Sequence, residues 1–186
     1  MKYNSLILIG LIAMLTYSCK DDDPVPENPE ELITTVRVVF HDHSTQTDYI
    51  QEFKDLDGDG GQEPTITTTP LPPNTTFDMT VFFLNETETP PEDITEEVEE
   101  EAEEHQVFYV IDSNLKLTNT YSDEDGDGNP IGLVNMSVSS EASQGNFRVV
   151  LRHEPDKLAD GVADGDITNA GGETDVDVTF DLEIKN

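Results

Sequence analysis

Residues 175–184, with the sequence DVDVTFDLEI, carry the pattern that decides the fold. From Val176 to Ile184, every second residue is apolar, and the residues between them are aspartate, threonine or glutamate. A period of two places alternate side chains on opposite faces of an extended chain. The segment therefore predicts a β-strand with one buried face and one solvated face.

The same period recurs along most of the chain, in short segments separated by Gly, Pro, Asn and Asp clusters. Such spacing is typical of antiparallel sheets that pack face to face. We therefore predict a mainly β protein, an antiparallel β-sandwich of about eight or nine strands. The other predicted strands are 36–40, 49–54, 65–69, 77–84, 107–111, 115–121, 133–139 and 147–153.

One segment, residues 92–105 (EDITEEVEEEAEEH), departs from this period. Ile94, Val98 and Ala102 are four residues apart, which predicts a thin apolar stripe on one short acidic helix. Glutamates repel one another at the same spacing, and those in the last turn oppose the negative end of the helix dipole. We expect this helix to depend on docking against the sheet.

The first eighteen residues predict a secretory signal rather than part of the fold. Lys2 provides a positive charge, Leu6 to Leu15 form an apolar run too short to span a bilayer, and Cys19 follows. This order predicts a lipoprotein that is cleaved after residue 18 and acylated on Cys19. Most such signals have an aliphatic residue where this chain has Thr16, so ordinary secretion and a retained anchor remain alternatives.

The amino-acid composition restricts which kinds of molecule the protein can bind. The chain of 186 residues has 41 Asp and Glu against 9 Lys and Arg, a formal charge of −32, and cleavage would remove Lys2 and leave −33. This charge disfavours nucleic acid and anionic headgroups and favours cations. Cys19 is the single cysteine, so we expect no disulfide and no thiol nucleophile. Residues 19–32 predict an acidic, proline-rich tether, and 33–186 a single domain.

Two aspartate-rich loops predict calcium sites. Both contain Asp-x-Asp-x-Asp-Gly, a spacing that directs several carboxylate oxygens to one centre, as Ca²⁺ requires. The twelfth positions are Ile66 and Val134, where an EF-hand has glutamate, so these are reduced loops rather than EF-hands. Asp and Gly are also ordinary hairpin residues, and this simpler interpretation stays open. The predicted ligands are Asp55, Asp57, Asp59 and Glu63 in the first loop, and Asp123, Asp125 and Asp127 in the second.

The histidines provide an alternative metal site. His41 and His43 are two apart in a predicted strand, His105 ends the predicted helix, and His153 ends a strand beside Glu154. Imidazoles with carboxylate neighbours such as Glu104 can hold Zn²⁺ or Cu²⁺. The spacing between these regions does not decide whether they meet, and histidines at element ends are commonly surface or capping residues.

No enzymatic motif stands out. The chain has no Gly-x-Ser-x-Gly elbow, no phosphate-cradling glycine loop and no His-Glu-x-x-His sequence. Tryptophan, a common platform for sugar rings, is absent. We therefore expect a protein that is not an enzyme.

Three segments carry a resemblance to a known group: EEAEEHQVFY (100–109), LRHEP (151–155) and DGDITNAGGETDVDVTF (164–180). With these, nearly the whole mature chain resembles small envelope lipoproteins of the Bacteroidetes type. Lys20 to Asp23 likewise resembles the acidic signal that sends such lipoproteins to the outer face of the outer membrane; a solvated charge run is the alternative. Some members of the group are labelled as type 1 periplasmic-binding proteins, which implies a longer two-lobed α/β fold that this sequence does not predict. The resemblance implies association with TonB-dependent receptors of the outer membrane.

Three functional hypotheses follow. The leading hypothesis is a binding or accessory module, held to the outer membrane by its acyl anchor on the cell surface or the periplasmic face. Ca²⁺ would stabilise it, and it would serve an outer-membrane receptor. The alternative is a capture protein for Zn²⁺ or Cu²⁺ that uses the histidines. The second alternative is a structural or adhesive surface lipoprotein.

Overall fold

The structure is a computed structural model that describes residues 32–58 and 60–186. This part of the chain forms ten strands and one α-helix, so the mainly β prediction is confirmed. The strands are β1 (Thr35–Asp42), β2 (Thr47–Lys54), β3 (Thr65–Thr68), β4 (Thr76–Asn85), β5 (Glu92–Asp93), β6 (His105–Ile111), β7 (Leu117–Tyr121), β8 (Val134–Ser139), β9 (Ser143–His153) and β10 (Glu173–Ile184), and the helix is α1 (Ile94–Glu100).

The strands form two antiparallel sheets, as expected for a β-sandwich. The larger has the order β3-β2-β1-β4-β8-β7, with the short β5 paired to β4, and the smaller has the order β10-β9-β6. In the smaller sheet β9 is central, so it forms ladders with both β6 and β10. This arrangement brings one end of each of these three strands to the same corner of the molecule.

The core lies between the sheets and follows the period of two. Alternate residues of β1, including Val38 and Phe40, are fully buried, whereas Val39 between them is only partly covered. Phe40 of the larger sheet meets Phe147 of the smaller sheet with ring centroids 5.7 Å apart, and Phe147 stacks on Tyr109. Aromatic contacts across the interior thus hold the two sheets face to face.

The predicted helix over 92–105 is wrong at both ends. Residues 92 and 93 pair with β4, and Asp93 then caps α1 by accepting a hydrogen bond from the amide of Thr95. Ile94 and Val98 are buried against the sheet as expected. The helix ends at Glu100 because further glutamates would sit at its negative end, and the chain turns so that His105 can begin β6.

A long connection, residues 155–172, covers the outer face of the smaller sheet. Phe108 and Val150 pack there with Val162 and Ala170 in a second small core. The side-chain amide of Gln106 donates a hydrogen bond of 3.0 Å from Nε2 to the carbonyl of Val162. Because β6 and β9 are covered on both faces at this point, their ends are held in fixed positions.

Candidate metal centre

Two histidines meet at the corner where β6 begins and β9 ends. His105 is the first residue of β6, His153 is the last of β9, and the register pairs them directly. Their ring centroids are 4.7 Å apart and nearly perpendicular, at 68°. Directly paired residues in an antiparallel ladder project to the same face, here the inner face that also holds Val107 and Leu151. The fold therefore places both imidazoles side by side at the edge of the core.

A β-bulge adds a carboxylate to the pair. In the ladder between β9 and β10, Thr174 pairs with Arg152 and Val176 with Leu151, so Asp175 is an extra residue without a partner position. A bulge of this kind redirects a side chain that strict alternation would point the other way. The Asp175 side chain is only 4% exposed, and its Oδ2 lies 3.9 Å from Nε2 of His105.

The ring orientation of His105 is set by the end of α1. Its Nδ1 lies 3.2 Å from the carbonyl oxygen of Glu101, and a carbonyl can only accept a hydrogen bond. Nδ1 must therefore carry the proton, which assigns the lone pair of the neutral ring to Nε2, on the side of Asp175. Metal-binding histidines typically donate their second nitrogen to a backbone carbonyl in this way.

The ligand atoms are close enough to share one ion. The side-chain donors of His105, His153 and Asp175 all lie within 4.8 Å of one another. Tetrahedral Zn²⁺ with bonds near 2.05 Å sets its ligands about 3.4 Å apart, so the cluster would need only a small contraction. A second group, made of Glu104, His153 and Glu154, satisfies the same limit and shares His153 with the first.

The two groups differ in exposure. His105 is fully buried and Asp175 almost so, whereas the side chain of His153 is 19% exposed and that of Glu104 is 57% exposed. Glu104 Oε2 lies 3.9 Å from His153 Nε2. We call His105, His153 and Asp175 the inner set, and Glu104, His153 and Glu154 the outer set. His153 is the side chain that connects solvent with the buried donors.

The backbone around the two sets is tightly packed. The amide of Glu154 donates to the carbonyl of Glu104 at 2.6 Å, and Glu154 has a φ of 48°, an unusual conformation for a residue with a side chain. On the other side, Gly172 has a φ of 67°, and a Cβ built on it would lie 2.2 Å from the carbonyl oxygen of His153. Only glycine lets the chain entering β10 pass this close to His153.

The other two predicted histidines lie elsewhere. His41 is on β1, and His43 is in the turn after it, with ring centroids 4.8 Å apart. Each has its own carboxylate, because His41 Nδ1 is 2.6 Å from Asp48 and His43 Nε2 is 2.5 Å from Asp78. Within residues 32–58 and 60–186, neither joins a group of three donors that could hold a metal. The four predicted histidines thus divide into two pairs, and only one pair has converging carboxylates.

In the second aspartate loop, the carboxylates of Asp123 and Asp125 accept hydrogen bonds from backbone amides, and Asp127 is exposed. Asp123 accepts hydrogen bonds of 2.8 Å from the amides of Gly132 and Val134. Oδ1 of Asp125 accepts from the amides of Asp127 and Asn129, at 3.0 and 2.8 Å. These bonds close the turn and leave Oδ2 of Asp125 directed into the protein.

Lys157 is the counter-ion of this loop. Its ammonium donates to Oδ2 of Asp125 at 2.9 Å, to the carbonyl of Ala102 at 2.6 Å and to the carbonyl of Pro130 at 3.3 Å. Both charged side chains are almost fully buried, at 5% and 1% exposure. Burial alone would raise the pKa of Asp125, but the hydrogen bonds from Lys157 and from the amide of Asn129 outweigh it and lower that pKa. The ammonium neutralises the charge of Asp125, and calcium binding to this loop stays a prediction.

The first aspartate loop is exposed and has no such lysine in the described residues. Oδ1 of Asp55 accepts from the amides of Asp57 and Gly58, at 3.4 and 3.0 Å, and Oδ2 of Asp57 accepts from the amide of Gln62 at 3.0 Å. Asp59 lies outside the described residues. Glu63 is exposed, and no group of three metal donors forms in the described part of this loop. Calcium binding here stays a prediction.

Sequence reasoning missed two residues that matter. Asp175 belongs to a strictly alternating run, which predicts a solvated side chain, and the bulge that turns it inward leaves no recognisable sign in the sequence. Lys157 is separated from Asp125 by two strands, so only the fold brings them together. The sequence offered one signal for Lys157: basic residues are scarce, with 9 Lys and Arg against 41 acidic residues, so each has many possible acidic partners.

Comparisons with known proteins leave the assignment to the chain itself. No protein-family model, curated protein or solved structure matches it. Among the described residues, no helix has the length and apolar character needed to cross a bilayer. Cys19, the predicted signal and residues 19–31 of the predicted tether lie outside the described part of the chain.

Proposed function

We propose that this chain is an exported, lipid-anchored β-sandwich module that binds a divalent transition-metal ion through His105, His153 and Asp175. The observation that carries the proposal is the convergence of two imidazoles and a bulge-directed carboxylate within 4.8 Å, at the border between core and solvent. His105 is fully buried, so little water would compete with an ion for its ring. A bound cation would neutralise Asp175 and use both rings at once.

The donor set indicates which ions fit. Two nitrogens and one carboxylate oxygen suit Zn²⁺ and Cu²⁺, and on affinity alone Cu²⁺ binds more tightly. The same donors hold mononuclear Fe²⁺ in other proteins, so Fe²⁺ belongs in the same titration. Three protein ligands leave a fourth position for water, which is the arrangement of sites that exchange ligands, whereas structural zinc sites are closed by four protein ligands.

The chain's charge and its N-terminus support a role at the membrane surface. A formal charge of −32 raises the local concentration of cations around the domain. Acylation at Cys19 would hold it to the outer membrane, on the periplasmic face or the cell surface. Its proposed task is to capture the ion there for an outer-membrane receptor.

The test is a metal titration of the full-length lipoprotein purified in detergent micelles. We expect isothermal titration calorimetry to give one equivalent of Zn²⁺ or Cu²⁺ bound with micromolar or tighter affinity. His105→Ala with His153→Ala should abolish binding. The matched control is His41→Ala with His43→Ala, which removes the same number of imidazoles and should leave the affinity unchanged. Retained binding in the first double variant, or loss in the second, would contradict the proposal.

The anchor has its own test. Cells fed a clickable palmitate analogue should label the wild-type protein and leave Cys19→Ala unlabelled, and the variant should migrate as an unprocessed or secreted species. Labelling that persists in Cys19→Ala would refute acylation at this residue. This result is independent of the metal titration.

A further inference from the structure

We infer that the outer set is the access position of the metal centre: an ion first binds Glu104, His153 and Glu154 and then moves inward to His105 and Asp175. This inference rests on the proposed function and concerns the route by which the site fills and empties. Its basis is that two metal-capable groups overlap at one residue, His153.

The gradient of exposure gives the route a direction. Glu104 has an exposed side chain and Glu154 is an exposed residue, whereas the inner carboxylate of Asp175 is 4% exposed and His105 is fully buried. A hydrated cation arriving from solvent meets the outer carboxylates first. Because His105 is fully buried and the Asp175 side chain is 4% exposed, direct binding to these donors would require the ion to lose most of its water at once.

Overlap at His153 allows the water to be lost in steps. With His153 retained as a ligand, the ion exchanges the carboxylates of Glu104 and Glu154 for that of Asp175 and the ring of His105. Each exchange replaces one anionic or neutral donor by another, and no bare ion is formed. The same steps in reverse let a chelator or an accepting protein remove the ion from outside.

The surroundings of the outer set favour arrival of cations. Glu99, Glu100 and Glu103 are exposed on or just after α1, within six residues of His105. In this stretch the glutamates have no basic side chain in the last turn of α1 to balance them. Their field attracts cations generally, so it predicts a rate that falls with salt; the outer set adds the specific ligands.

The inference predicts that the outer set controls the rates of metal binding and release, whereas the inner set controls the affinity. Glu104 and Glu154 are not ligands of the ion in its final position, so their removal leaves the equilibrium nearly unchanged. Removing them takes away the intermediate through which the ion both enters and leaves. Association and dissociation should therefore slow together.

The experiment compares two double variants. The first combines Glu104→Gln and Glu154→Gln. The matched control combines Glu99→Gln and Glu100→Gln, which removes the same charge from exposed positions at the end of α1. Stopped-flow mixing of the full-length protein with Zn²⁺ gives the association rate constant, and an EDTA chase of the loaded protein gives the dissociation rate constant. We expect both rate constants of the first variant to fall on the order of tenfold with Kd within about threefold. The control loses the same charge but none of the outer ligands, so its association rate constant should fall by less than about twofold, which measures the effect of charge alone.

Each outcome decides one of the two ideas. If the wild type binds Zn²⁺ and both variants behave alike, the access position is overturned while the metal centre stands. If association slows but dissociation does not, so that Kd rises with the loss, the outer glutamates act only by charge or as final ligands and the inference also fails. If the wild type binds no metal, the proposed function itself fails.

Discussion

Two consecutive carbonyls after α1 accept hydrogen bonds from two different nitrogen-bearing side chains, and the contrast between them explains much of this molecule. Glu101 accepts from Nδ1 of His105, and Ala102 accepts from the ammonium of Lys157. Lys157 places an ammonium group 2.9 Å from the buried Asp125, whereas Nε2 of the His105 ring lies 3.9 Å from the buried carboxylate of Asp175. Asp125 is neutralised by a lysine of the same chain, whereas Asp175 lies beside two histidines with which, in the proposed function, it would bind an ion from solution.

The two regions differ in whether the cation beside the carboxylate would be a fixed part of the chain or an ion that can exchange with solution. A lysine with three buried acceptors forms a fixed part of the structure and is always present when the chain is folded. An imidazole pair with one partly exposed ring offers donors whose partner can come and go. The contrast predicts that the Lys157 region governs stability under all conditions, and that the His105 region governs it only when metal is supplied.

The largest expected effect is that of removing the fixed partner. Lys157→Met leaves Asp125 buried without its counter-ion, and breaking a buried pair in this way costs about 3–5 kcal/mol of unfolding free energy. The measurement is urea unfolding followed by circular dichroism. Lys185→Met is the control, because its pair with Glu183 is half exposed and its loss should cost less than about 1 kcal/mol. Equal effects of the two substitutions would erase the contrast.

Acidification should reduce the difference in unfolding free energy between the wild type and Lys157→Met. The pKa of Asp125 is lowered in the folded protein, so its ionic contribution is present above the ordinary value of 3.8 and is lost as pH falls below 3.8 through the folded-state pKa. In Lys157→Met the lowering interaction is gone and burial remains, so the pKa of Asp125 should rise instead. Unfolding free energies measured from pH 7 to pH 3 should therefore converge for the two proteins. A constant gap over this range would mean that Lys157 stabilises by packing alone.

Added metal should raise the free energy of unfolding only through the region around His105. At a free Zn²⁺ concentration one hundred times Kd, binding to the folded state adds about 2.7 kcal/mol. His105→Phe keeps an aromatic ring in the core but lacks the nitrogen, so we expect it to fold and to lose this increment. Thermal unfolding with and without Zn²⁺ measures both. An increment that survives in His105→Phe would place the metal elsewhere.

The smallest expected effect belongs to calcium. If the exposed first loop binds Ca²⁺ with the millimolar affinity of extracellular modules, a concentration equal to Kd adds about 0.4 kcal/mol. Asp57→Asn should remove this increment, and Lys157→Met should leave it intact because the second loop has its own cation. Differential scanning calorimetry at several calcium concentrations checks the prediction. An increment that needs Asp125 but not Asp57 would reverse the roles of the two loops.

Much of the fold was predictable because it follows from local pattern. Alternation in β1, β4 and β10 places the buried residues correctly, and Gly, Pro, Asn and Asp mark the turns. The helix was predicted too long, because the stripe of Ile94, Val98 and Ala102 continues past the point where glutamate repulsion ends the helix. Pattern reports which face is apolar but not where electrostatics stops an element.

The candidate site was only half predictable, because it depends on register. His105, His153, Glu104 and Glu154 were all named from the sequence, yet nothing in their spacing pairs them. The pairing comes from the ladder between β6 and β9, and Asp175 comes from an irregularity in the next ladder. Two similar aspartate loops also differ: Asp125 of one is paired with a lysine 32 residues away, whereas the described residues of the other have no such lysine.

Gly172 makes this arrangement vulnerable to a change that touches no donor atom. A methyl group at position 172 would collide with the main-chain oxygen of His153, which has no rotamer by which to move aside. The chain leading into β10 would have to shift, and Asp175 would be carried away from the imidazoles. If the proposed metal centre is correct, Gly172→Ala would weaken metal binding although every ligand residue is still present, a defect that the ligand residues alone would not reveal.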